Sequence, residues 1–162
     1  MKKINKALWA KKKEYNGRMY WLSLYQHSVD AKDIAGLLWE HWLNDGQKRH
    51  IEESLDVESY GKGKNLAMFL AAVHDLGKAT PAFQAKKSFN YSGDLDGRLL
   101  ENLEMAGFTG ISSLSLESPE KTPHNIAGQN LLLSYGVHHD ISILIGGHHG
   151  KPSDYIDKKE IN

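Results

Sequence analysis

Apolar positions recur with a helical period along most of the chain. Between residues 24 and 43, His27, Ala31, Ile34, Leu38 and Trp42 return every three or four residues, which predicts a helix with one buried stripe and points His27 inward. Residues 64–75 predict a second helix, apolar almost all round through Leu66-Ala67-Met68-Phe69-Leu70-Ala71-Ala72-Val73 and therefore expected at the centre of the fold. That run closes on His74-Asp75 and passes at once into Leu76-Gly77-Lys78. Thr80-Pro81 has the form of an N-cap followed by a first-turn proline, opening a short segment over 82–86. Residues 94–105 read as an amphipathic helix carrying Leu95, Leu99, Leu103 and Met105, stopped by Gly107. The serines, glycines and Pro119 of 107–121 indicate a loop-rich connection. Thr122-Pro123 repeats the cap signal before a helix with the stripe His124, Ala127, Gly128, Leu131 and Tyr135. Residues 141–145 fit either a short buried strand or a helix ending at Gly146-Gly147-His148-His149-Gly150, and the helix is preferred. There is no internal repeat, and the expected fold class is all-α, a globular helical bundle.

Composition narrows the chemistry. At 162 residues, 40% apolar and 25% charged, the chain is the size of one soluble domain. It has no cysteine, so disulfides, zinc ribbons and thiolate nucleophiles are excluded, and any metal site must use histidine and carboxylate. Basic and acidic residues balance at 20 each, but Lys2, Lys3, Lys6, Lys11, Lys12 and Lys13 crowd the start around Trp9. That composition suits either a contact to a nucleic-acid backbone with a stacked base, or a solvated basic tail; the tail is preferred. No signal-peptide core and no run of membrane-spanning length is present, so a soluble, cytoplasmic protein without membrane contact is expected.

The nine histidines carry the chemistry. A carboxylate at the C-terminus of a buried helix opposes the macrodipole and loses its hydration, so a positive group is expected against Asp75. His27, His74, His124 and His148 fall on the buried stripes of separate helical segments, and a shared metal centre explains all of them together. His149, between His148 and Gly150, has the backbone freedom to turn to the same centre. His41 follows His27 by about 21 Å of helix and is expected, like His50, at a helix end or on the surface. His138-His139-Asp140 repeats the dipeptide but follows a helix stop, with Asp140 as the expected N-cap of the next helix. Gly61-Lys62-Gly63-Lys64 lacks the spacing of a phosphate loop. Histidine-rich ligation with a carboxylate favours one or two divalent transition-metal ions, manganese, iron, cobalt or nickel, over magnesium. Asp75 is suited to bridge two ions, and Lys78 either offsets charge on phosphoryl oxygens or is an ordinary exposed lysine.

These blocks resemble the HD phosphohydrolase superfamily, and more closely the HD nuclease domain of the nuclease-helicase of type I CRISPR systems. The matching residues are Trp21 to His27 leading into a long helix, Val73-His74-Asp75-Leu76-Gly77-Lys78-Ala79-Thr80 with Phe83-Gln84, His124 at a helix start, and Gly146-Gly147-His148-His149-Gly150. The resemblance implies an HD-domain helical bundle around a central metal site that cleaves single-stranded DNA with two transition-metal ions. It implies His27, His74 and Asp75 at one metal, Asp75 with His124, His148 and His149 at the other, and Lys78 beside the scissile phosphate. It also implies, as partners, a helicase domain of the same longer protein and the RNA-guided Cascade surveillance complex. The family carries one more aspartate on a later helix, so residues 1–162 are expected to be an HD nuclease domain truncated at its C-terminal end. Two other readings stand beside the nuclease: an HD phosphohydrolase of nucleotides or cyclic dinucleotides, and a module that binds DNA or protein without cutting.

Overall fold

Asn16-Gly17 turns the N-terminal segment back on itself, both residues having positive φ, 51° and 69°. In the computed structural model of the protein, which describes residues 4–55, 61–88, 93–116 and 121–150, this turn joins β1 (Trp9–Tyr15) to β2 (Arg18–Ser23). The strands pair antiparallel, Lys12 opposite Trp21 and Tyr15 opposite Arg18, with an irregularity between Trp9 and Lys11. The expected all-α class is thereby corrected to mostly helical with a small two-stranded sheet. Asn-Gly is the residue pair a tight hairpin turn demands. The lysines of β1 hide the period of two that would have announced the strand.

The basic start is therefore not a free tail over its described part, nor does Trp9 stack a base. Trp9 is buried at the centre of an apolar cluster with Leu95 and Leu99, against which Met19 and Phe83 pack. Its ring lies 4.6 Å from that of Phe83. Lys12 reaches across to Asp96, 2.6 Å away, and lies over the Trp9 ring. Lys2 and Lys3 lie outside the described residues.

A four-residue α1 (Ile4–Ala7) precedes the hairpin, and β2 runs into α2 (Leu24–His41), where Ser23 caps the helix by accepting from the Gln26 amide. The stripe read from the sequence is rotated: Leu24, Gly36 and Trp39 are buried, whereas Ile34, Leu38 and Trp42 are exposed. The reason is the partner, because α4 (Gly63–Val73) lies against the small residues of α2, with Met68 over Gly36 and Trp39 against Gly63. Gly63 is thus a packing glycine, and its neighbour Lys64 pairs with Glu40. Helix α4 is only half-buried along most of its length, with Phe69 exposed, so it is less enclosed than its composition suggests. Between the two in the chain is α3 (Asp45–Glu53), polar but for Ile51 and Gly46 and fastened by a capping box of Asn44 and Gln47.

A 3₁₀ turn (Leu76–Ala79) and α5 (Pro81–Gln84) follow, with Thr80 at the expected N-cap. Helix α6 (Gly93–Met105) buries Leu95, Leu99 and Leu103, but Met105 at its end is exposed. The connection that follows contains a 3₁₀ turn (Ile111–Ser113) whose Ile111 is buried. Helix α7 (His124–Ser134) starts after Pro123 rather than Thr122, and its core residues are Gly128, Gln129 and Leu132; Tyr135 of the expected stripe is exposed. Helix α8 (His139–Gly146) resolves the ambiguity over 141–145 in favour of helix, with His138 rather than Asp140 as its N-cap. No helix among the described residues is long and apolar enough to cross a membrane.

Candidate metal centre

Helix α4 ends where its apolar run does, at Val73 and two residues short of the expected limit at 75, with His74 as C-cap and Asp75 as N-cap of the 3₁₀ turn. This short turn is held against α7 by glycine. A Cβ on Gly77 would overlap the His124 carbonyl and crowd the Gly128 amide, so two glycine backbones meet where side chains do not fit. The contact sets the start of α7, and with it His124, beside Asp75. Asn125 donates to the Gly146 carbonyl at 2.5 Å and fastens the start of α7 to the end of α8, from which His148 and His149 emerge. Gln84 ties the other side: its amide donates to the carbonyls of Lys78 at 2.7 Å and Trp9 at 2.8 Å, and its oxygen accepts from the Trp9 amide at 3.1 Å.

All the imidazoles expected from the sequence converge on one buried carboxylate. Asp75 is 3% exposed. Its Oδ2 lies 2.8 Å from His27 Nε2 and 3.2 Å from His74 Nε2; its Oδ1 lies 3.1 Å from His124 Nε2 and 3.7 Å from His148 Nε2. The donors form two groups that share Asp75, one of His27, His74 and Asp75, the other of Asp75, His124, His148 and His149, each with its ligand atoms within 4.8 Å of one another. A carboxylate with one oxygen in each of two histidine groups has the form of a bridge between two ions.

The polar groups themselves test whether a metal fits. His148 Nε2 is buried with no hydrogen-bond partner, while its Nδ1 donates to the Ile145 carbonyl at 2.6 Å. His74 Nδ1 also donates to the Ala71 carbonyl, at 2.7 Å, but its Nε2 faces Asp75 Oδ2 as a donor and would give up that proton to an ion. A histidine that spends its N–H on a backbone carbonyl presents the other nitrogen as a lone pair, which is how metal-ligating histidines are oriented. His149 and His124 face each other Nε2 to Nε2 at 2.9 Å, an approach natural for two ligands of one ion. Nitrogen donors with one carboxylate fit a divalent transition metal.

Burial pushes His124 down to about 4 and lowers His27 and His148 as well, so these rings are neutral at neutral pH, the form that binds metal. His74 is raised by its hydrogen bond to Asp75. Burial alone would raise Asp75, but the hydrogen bonds from His74 and Lys78 outweigh it and hold the carboxyl well below the usual carboxylate range. Lys78 is not the exposed lysine of the bland reading. It is 9% exposed, its Nζ sits 2.7 Å from Asp75 Oδ2, and it also donates to the Ala10 carbonyl at 3.4 Å.

His41 is well exposed, and His41, His50 and the His138-His139 pair lie outside the two groups found among the described residues. Asn125 and the hairpin were missed. A hairpin signal was present in Asn16-Gly17, whereas nothing local distinguishes Asn125 from any other polar residue in a first helical turn.

Comparison with known proteins places these features. The family model described as Cas3, HD domain matches residues 9–161. The chain is similar to the CRISPR-associated nuclease/helicase Cas3 of Streptococcus thermophilus, 61% identical over 159 residues. That match takes in 97% of this chain and 17% of the relative, so the chain spans about a sixth of the relative's length. No solved structure matches.

Proposed function

The chain belongs to the Cas3 HD domain family, and from that premise we propose that it is a metal-dependent nuclease domain of CRISPR interference that hydrolyses phosphodiester bonds of single-stranded DNA. The observation that carries this reading is the single buried carboxylate shared between two histidine groups, with His148 Nε2 left without a partner.

In this reading His27 and His74 hold one ion with Asp75, and His124, His148 and His149 hold the other. Divalent ions bound there supply Lewis acidity toward a phosphodiester and make water a stronger acid. The chain's own residues do the rest. Asp75 keeps the two sites adjacent, and the backbone carbonyls of Ala71 and Ile145 fix the tautomers of His74 and His148. Lys78, held between Asp75 and the Ala10 carbonyl, places a fixed positive charge beside the site where a phosphoryl group gathers negative charge. The relative's name joins nuclease to helicase. We read the present chain as the nuclease part of such a protein, with the helicase part delivering the strand and the RNA-guided Cascade complex as the recruiting partner.

Circular single-stranded DNA incubated with manganese or nickel tests the reading. The chain is expected to linearise the circle, and Asp75→Ala to leave it intact. Equal cleavage by both proteins would remove Asp75 from the mechanism. Hydrolysis of free nucleotides or cyclic dinucleotides with the circle untouched would instead select a small-molecule phosphohydrolase. The first group offers three donors among the described residues and the second four, so a single bound ion with no cleavage would select the non-cutting module.

A further inference from the structure

The hairpin is more than a lid on Trp9. Directly opposed residues of an antiparallel pair share a face, so the register puts Lys12 and Trp21, and Glu14 and Met19, on the side of α6. There Lys12 meets Asp96 and Met19 joins the core. The opposite face carries Lys11, Lys13 and Tyr15 from β1 with Arg18, Tyr20 and Leu22 from β2. No carboxylate of the hairpin is on that side. Tyr15 and Tyr20 are 59% and 51% exposed, and the Lys13 ammonium lies 5.6 Å from the Tyr15 ring centroid. Two exposed aromatics among cations are an unusual use of a small polar sheet, and they are the two elements from which single-strand platforms are made.

The face also has a direction. Its inner end abuts the metal centre, because the carbonyl of Ala10, next to Lys11 in the strand, accepts from Lys78. Leu22, opposite Lys11, leads through the Ser23 cap into the first turn of α2, which carries His27. Its outer end is the Asn16-Gly17 turn, about 17 Å from Lys11 at the rise of an extended strand. We propose that this outer face is the track that holds the single strand as it enters the metal centre, with phosphates on Lys11, Lys13 and Arg18 and bases stacked on Tyr15 and Tyr20. The inference rests on the single-strand reading above and adds the residues that position the strand. The concave surface between β2 and α6 shares Arg18 and Tyr20 with this face and adds Trp21, Asp94, Arg98 and Asn102; its aspartate makes the α6 side less suited to a phosphate chain.

The test is binding of a fluorescent oligothymidylate to the full chain in EDTA, followed by anisotropy over a range of salt concentrations. Without metal no strand is cut, so the track is judged independently of the nuclease reading, which stands or falls on the circular-DNA assay. Tyr20→Ala and Tyr15→Ala are each expected to weaken binding about tenfold, with Tyr20→Phe restoring it. Lys13→Gln is expected to flatten the dependence of log affinity on log salt by about 0.7, the share of one phosphate contact on a single strand. Arg49→Gln, a charge removed from α3, should change neither. Oligonucleotide binding indifferent to all the hairpin substitutions, or lost with Arg98→Gln instead, overturns the proposal. The lysines would then serve only to keep the exposed strand edges from pairing with other chains.

Discussion

His74 and His148 are held in the same way, each donating Nδ1–H to the carbonyl three residues before it, Ala71 and Ile145. The repetition matters because a ring fixed at one nitrogen loses little further freedom on using the other, so the site is arranged before an ion arrives. With the two oxygens of Asp75 divided between the groups, single substitutions should act on separate ions. His27→Ala is expected to lower bound manganese from two ions per chain to one, and cleavage by at least about 100-fold. Asp75→Ala should lose both. Elemental analysis of dialysed protein gives the counts, and one ion retained by Asp75→Ala would exclude the bridge. The sequence allows Lys78 as either a phosphate-side cation or a surface lysine, and its burial on Asp75 removes only the second of these.

At the scale of elements, the site depends on two joints made without any ligand side chain. The first is the backbone contact of Gly77 with α7, where a Cβ would meet the His124 carbonyl. Gly77→Ala should cost about 3 kcal/mol in urea unfolding, because overpacking against backbone has no side chain to move aside. A loss under about 0.5 kcal/mol would show that the turn can separate from α7 freely. The second joint fastens the hairpin to α6, where Asp96 accepts from Lys12 and from the Ser88 amide and hydroxyl. Burial would raise the Asp96 carboxyl, but the Lys12 and Ser88 hydrogen bonds outweigh it and lower it from its ordinary value. A carboxyl lowered in the folded state binds fewer protons there than when unfolded, so its stabilisation is present above about pH 4 and fades as pH falls further. Asp96→Asn should accordingly lose about 2 kcal/mol at pH 7 and show a shallower acid limb than the parent. Parallel acid limbs for the two proteins would refute the linkage.

At the scale of the molecule, the metal centre joins parts of the chain that are far apart in sequence: the first turn of α2, the end of α4, the start of α7 and the segment after α8. Ions bound there should stabilise the whole domain. Free manganese at a hundred times its dissociation constant is expected to add about 2.7 kcal/mol for each ion bound, raising Tm by about 5–10 °C per ion over the EDTA-treated protein. An unchanged Tm would mean that the donors do not hold an ion in the folded chain. Much of this was legible one segment at a time. The histidine-rich donor set follows from side-chain chemistry in a chain without cysteine, and the helices from local period, as in α6, whose leucines at 95, 99 and 103 are all buried. The remainder depended on partners. The buried face of α2 turned away from Ile34 and Trp42 because α4 packs on its small residues, and Trp9 entered the core because Gln84 and α6 were there to receive it. Which ligand types were available was thus a property of the sequence alone. Their partition between the two oxygens of Asp75 belonged to the tertiary structure, because it depends on how segments more than a hundred residues apart are pressed together, and no local pattern records that.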